Sequence, residues 1–206
     1  MAKASFSEKK LQNWVYEHLT DGTLVASIEN LDEALEIASA YRSDPFVSDL
    51  NGFLFSVAKL RWAKEVERIA DWHSPVKEVS VARTGGHPLE IDVLAQTRRL
   101  GEFVVIELKR NKDTERQAVT ELTAYANALS VLFPTLPPQR ISLAVIATDW
   151  NHLLVNALTL LLVFHRYNIV GLKAIPDAHS TRLDFKLRIV DFVALAVCRR
   201  GDLDSS

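Results

Sequence analysis

Four ionisable residues stand where strand periodicity would put them on shared faces. In Leu89-Glu90-Ile91-Asp92-Val93, alternate residues of a strand point to opposite sides, so Glu90 and Asp92 share one face and Leu89, Ile91 and Val93 the other. The same parity places Glu107 with Lys109 at the end of Phe103-Val104-Val105-Ile106-Glu107-Leu108-Lys109, an otherwise apolar run. A buried carboxylate is costly unless it meets a counter-charge or a metal. If the two strands pair antiparallel through the short turn at 96–101, Asp92 and Glu107 come close together. The repulsion between them would be relieved by a hard divalent cation with oxygen ligands, so Mg²⁺ or Mn²⁺ is the expected guest. Lys109 would sit beside the ion, placed to orient a water or to stabilise charge developing on a phosphate. Hydrolysis of a phosphodiester is the chemistry that suits such a set.

Positioning these side chains requires a sheet, and the hydropathy pattern supplies one after a helical beginning. Ser5 or Ser7 ahead of Glu8, with Leu11, Trp14, Val15 and Leu19 at helical spacing and Asp21-Gly22 as a stop, predicts a first helix. A second is expected over 31–41, with Asp32 and Glu33 suited to its first turn, and a third from Pro45 to about Trp72. Period two then takes over. Strands are expected over 76–83 and 89–95, joined by the hairpin signal Thr84-Gly85-Gly86-His87, and a third over 103–109 completes an antiparallel meander. Helical spacing returns from Asp113 or Thr114 to about Val131 and is closed by Pro134 and Pro137-Pro138. The remainder reads as strand 141–147, helix 150–165 and strand 169–175, a βαβ-like crossover, with a final strand over 183–190. The expected fold class is α/β, a mixed sheet flanked by helices. A helical region over 1–75 packs on a core over 76–206, and the two form one structural domain.

An acid on one strand, Glu-x-Lys on the next and a supporting helix after it together resemble the PD-(D/E)xK nuclease superfamily. The residues that carry the likeness are Glu90-Ile91-Asp92, Glu107-Leu108-Lys109 and Glu121-Leu122-Thr123-Ala124-Tyr125. The last resembles the Q-L-x-x-Y of many members, with Glu in place of Gln, and Ile91 stands where the family's nominal proline precedes its aspartate. The likeness covers roughly 76–175 and does not account for 25–70. It implies a restriction-endonuclease-like fold and a Mg²⁺-dependent hydrolase, above all a DNA endonuclease, with Asp92, Glu107 and Lys109 as catalytic residues. Asp92 and Glu107 would hold the metal with the main-chain carbonyl of Leu108, and Glu90 or Glu8 would assist a second or loosely held ion. Glu8 is similar to a glutamate in the N-terminal helix of several members, with Glu17, Glu65 and Glu67 as competing helical acids. Glu121 and Tyr125 would support the site from their helix. The alternative is a nuclease-fold protein that no longer cuts and serves as a nucleic-acid-binding or protein-interaction module. A third reading makes Glu107 and Lys109 a purely structural ion pair.

Arg110, Lys112 and Arg116 follow the Glu-x-Lys and Arg98 and Arg99 precede its strand, a candidate rim for nucleic-acid phosphates diluted by Asp113 and Glu115. His73 and His87 read as loop residues, and Trp14, Trp62, Trp72 and Trp150 as core rather than base-stacking surfaces. With 206 residues, 48% of them hydrophobic, the chain can bury a full core without disulfides. Its formal net charge of −2 means that any nucleic-acid contact has to come from a local basic surface. The single Cys198 allows neither an internal disulfide nor a cysteine zinc cluster, which fits a reducing, cytoplasmic setting. The most apolar run, Leu153 to Phe164, reads as a buried helix and falls well short of the ~20 residues needed to span a bilayer. A nucleic-acid partner is therefore expected, a membrane partner is not, and a homodimer is left open.

Overall fold

A computed structural model of the chain describes residues 6–43, 50–81, 89–98, 102–110, 115–135, 137, 140–177 and 184–201. Three helices come first: α1 (Glu8–Thr20), α2 (Leu31–Ser43) and α3 (Leu50–Arg68). Ser7 caps α1, its Oγ accepting the Lys10 N–H at 3.3 Å, and Glu8 occupies the first turn, where the helix dipole favours an acid. The apolar stripe of α1 turns inward, leaving Leu11 and Val15 with no exposure. After α3 come β1 (Trp72–Ser80), β2 (Glu90–Thr97), β3 (Phe103–Lys109), α4 (Glu115–Leu132), β4 (Ile141–Ala147) and α5 (His152–Val163). The chain continues through β5 (Asn168–Pro176), β6 (Phe185–Val190) and α6 (Phe192–Gly201).

The strands form one six-stranded mixed sheet in the order β1-β2-β3-β4-β5-β6. β1, β2 and β3 are antiparallel, β3, β4 and β5 parallel, and β6 returns antiparallel to β5. Parallel neighbours need crossovers, and α4 and α5 supply them, lying against each other. α1 packs over β1 to β3, and α3 packs against β5, α2 and α5. Every residue of β4 is buried, as expected for a strand covered on both faces. Leu11 and Trp62 from the helical region join Ile106, Ile146 and Leu172 from the sheet in one hydrophobic cluster, so the two regions share a core. The edge strand β1 is irregular, with left-handed backbone at Ser74 (φ 49) and Glu78 (φ 55) and a register shift between His73 and Val76. Such breaks discourage pairing with another chain.

Several boundaries differ from the sequence-based expectation. The third helix stops at Arg68 and the first strand begins at Trp72, because Trp72 and His73 pair with Thr97 and Gln96 on β2. The hairpin signal at 84–87 lies outside the described residues. α6 was not anticipated; Asp191 caps it, accepting the Ala194 N–H at 2.9 Å, and Phe192 and Val193 in its first turn are fully buried. The apolar run over α5 is only half buried. Leu154, Leu158 and Leu162 face the core, while Leu153, Leu160 and Phe164 are 54%, 51% and 65% exposed. Among the described residues no helix is long and apolar enough to cross a membrane.

Candidate active site

β2 and β3 pair from Gln96↔Phe103 to Val93↔Ile106 and then part. The residues that would pair next are Asp92 and Glu107, so both carboxylates stand at the opening of a fork. The Leu108 N–H, left without a partner strand, donates instead to Asp92 Oδ2 at 2.8 Å. A residue's N–H and C=O lie along the same edge of a strand, so the Leu108 carbonyl faces this gap as well. On its other side β2 is clamped by α1, where Gln12 Nε2 donates to the Asp92 carbonyl at 2.8 Å. The flanking pairs Lys77↔Val93 and Val79↔Ile91 set Asp92 opposite Glu78, whose left-handed backbone breaks the ladder there. Glu8 lies one turn before Gln12, and its charge adds to the field at Asp92.

α4 closes the site. Glu121 and Tyr125 are one turn apart and flank the fully buried Leu122, so they project from the helix face that meets the sheet. Lys109 Nζ lies 2.5 Å from Glu107 Oε1 and 2.8 Å from Glu121 Oε2. Tyr125 donates its hydroxyl to the Glu90 carbonyl at 2.8 Å. Glu107 and Lys109 are 2% and 7% exposed. Burial first, then the neighbouring Asp92 and a hydrogen bond to Glu121, push the Glu107 carboxyl up to about 9. Burial likewise raises Asp92 to about 6, against the opposing effect of the Leu108 N–H. For Lys109 burial acts downward, but Glu107 and Glu121 outweigh it, and the ammonium is held above its usual range. Burial and the surrounding carboxylates raise the Tyr125 phenol as well.

These residues fit a hard divalent cation. Among the described residues Glu107 Oε2 is buried with no hydrogen-bond partner, and Asp92 disfavours the ionised form of Glu107, a repulsion that a cation between them reverses. Among the described residues, no three His, Cys, Asp or Glu side chains are grouped to hold an ion by themselves. The donor set is therefore two carboxylates and the Leu108 carbonyl, with water completing the shell as Mg²⁺ usually requires.

The fork thus brings together Asp92, Glu107, Leu108, Lys109 and Glu121, with Glu8 nearby. Glu90 lies on the same face of β2 as Asp92, but its side chain is exposed. Tyr125 touches the backbone of β2. Arg110 follows directly, its guanidinium 5.5 Å from the Phe6 ring centre, so it stands beside the start of α1. Lys112, Arg99, His87 and Asp113 lie outside the described residues, as do the side chains of Glu115 and Arg116. Arg98 and His73 are at the other end of β2, since His73 pairs with Gln96. Of the competing acids, Glu17 is exposed, Glu67 pairs with Arg42, and Glu65 is buried against Arg68, which also binds Glu102 just before β3. Trp14, Trp62 and Trp72 are core residues, and Trp150 packs over Gly171. Gln12 was not singled out from the sequence; its spacing of four from Glu8 on a helix was the available signal.

Comparison with protein-family models, with curated proteins and with solved structures gave no match.

Proposed function

We propose that this protein is a metal-dependent nuclease of the PD-(D/E)xK kind, with a restriction-endonuclease-like core, that hydrolyses phosphodiester bonds in DNA. The observation that carries the reading is the fork itself. Asp92 and Glu107 face one gap with the Leu108 carbonyl, and a Glu107 oxygen is buried there without a partner among the described residues. Asp92, Glu107 and the Leu108 carbonyl would hold Mg²⁺ or Mn²⁺, with Glu8 steadying the charge from α1. The bound ion supplies Lewis acidity and charge neutralisation at the scissile phosphate. Lys109, kept as an ammonium by Glu107 and Glu121, is a hydrogen-bond donor at neutral pH and not a proton acceptor. Its part is to orient the attacking water and to stabilise the anionic phosphate. Glu121 positions Lys109, and Arg110 stands ready to meet an adjacent phosphate. A cytoplasmic setting belongs with this reading.

One observation favours a second reading, a nuclease-fold module that binds without cutting. Lys109 Nζ already lies between Glu107 and Glu121, so a protein cation occupies this side of the site in the absence of metal. Cleavage decides between them. With Mg²⁺ or Mn²⁺ the wild-type chain is expected to cut at least one of duplex, flap and single-stranded DNA. Asp92→Ala and Lys109→Ala should abolish cutting while keeping the far-ultraviolet circular dichroism of the wild type. If no DNA or RNA of any of these forms is cut, the enzymatic reading fails.

A further inference from the structure

At the opposite end of the parallel strands lies a concavity of about 410 Å³, lined by Val57, Leu60, Arg61 and Lys64 of α3 with Arg166 and Asn168 at the approach to β5. Asn168 pairs with Ser142 on β4, which pairs with Val104 on β3. Counting from Val104 to Glu107 at about 3.3 Å per residue puts the concavity roughly 10 Å from the carboxylate fork along the strands, with β4 lying between β5 and β3.

Three cations converge there, and the described lining residues include no carboxylate. The acids next in sequence are turned elsewhere: Glu65 points into the core against Arg68, and Glu67 reaches Arg42. Arg61 is held in place, one guanidinium nitrogen donating to the Leu162 carbonyl at 2.9 Å. Arg166 adopts left-handed backbone (φ 59) where the chain turns from α5 toward β5, and that turn returns its side chain to the neighbourhood of Arg61. Burial and then the Arg166 charge lower the proton affinity of Arg61, so two like charges share the pocket. An anion between them converts this repulsion into two charge-assisted contacts. The planar guanidinium fork matches the oxygens of a phosphate. Val57 and Leu60 form an apolar wall.

We infer that this concavity binds a phosphate group, carried by a free nucleotide or by a polynucleotide, at a site separate from the carboxylate fork. The inference does not rest on the nuclease reading, because it needs neither metal nor cleavage. The test uses the whole chain in metal-free buffer of low ionic strength, titrated calorimetrically with inorganic phosphate and adenosine 5′-monophosphate. A short oligonucleotide with and without a 5′-phosphate is titrated in parallel. Saturable binding is expected that weakens at least about tenfold in Arg166→Gln and further in Lys64→Gln/Arg166→Gln, and that is unchanged in Asp92→Ala. Both substituted side chains are exposed, so these variants should fold; Arg61→Gln is set aside because it also removes the Leu162 contact. Tighter binding of the 5′-phosphorylated oligonucleotide assigns the site to a terminal phosphate. Equal binding of the two forms, lost in Arg166→Gln, assigns it to the phosphodiester backbone. Absence of saturable binding by any of these probes, or binding indifferent to Arg166→Gln, would overturn the inference.

Discussion

Burial raises Asp92 from 3.8 to about 6, and burial with repulsion from Asp92 raises Glu107 from 4.5 to about 9, so across those intervals the folded chain binds more protons than the unfolded one. Stability from these groups is therefore present below their ordinary values and is lost as pH rises, through about 6 for Asp92 and about 9 for Glu107. The metal-free protein should melt at a lower temperature at pH 9 than at pH 6, and Glu107→Gln should shrink that difference by removing the larger contribution. An undiminished difference in the variant would show that Glu107 is not the group responsible. Divalent cations need the ionised carboxylates, so their binding should strengthen over the same interval and release protons. At Glu121 the expectation is narrower. Glu121→Gln keeps a hydrogen-bond acceptor for Lys109 but removes a charge, so cleavage should fall less than in Lys109→Ala, measured as initial rate on one substrate at saturating Mg²⁺.

Helices and strands place the fork, and their effects are separable. Gln12 ties α1 to the Asp92 carbonyl and is 5% exposed. Gln12→Ala should cost about 1–3 kcal/mol by leaving that carbonyl unsatisfied, and it should weaken metal affinity because Asp92 loses its anchor. Denaturant unfolding and a metal titration of the variant measure the two effects. Gly171, in β5 between β4 and β6, lies under the indole of Trp150, where an added Cβ would come within 2.2 Å of the ring. Gly171→Ala should destabilise by about 1–3 kcal/mol through overpacking, visible as a lower thermal midpoint with the cleavage site untouched. These contacts mark the limit of what local pattern conveys. The alternation in β2 and the apolar run of β3 announce themselves over a few residues, and with them the acids and Glu-x-Lys of the fork. Gln12, by contrast, meets a strand 80 residues later in the chain. The left-handed turns at Ser74 and Glu78 involve no glycine, and nothing in their residue types signals them.

For the whole molecule, the mixed α/β class and the helical beginning follow from the shift between helical and alternating periodicity. The exposure of half of α5 does not, because an apolar helix reads the same whether one face or both are covered. A common core joining α1 and α3 to the sheet makes the fork rigid enough to hold two repelling carboxylates together. That arrangement stands or falls on metal binding. Titration of the intact protein with Mn²⁺ at neutral pH, followed by calorimetry, tests it most directly. The account predicts saturable binding with proton release, abolished by Asp92→Ala and strongly weakened by Glu107→Gln. Absence of Mn²⁺ binding, or binding indifferent to both substitutions, would contradict it.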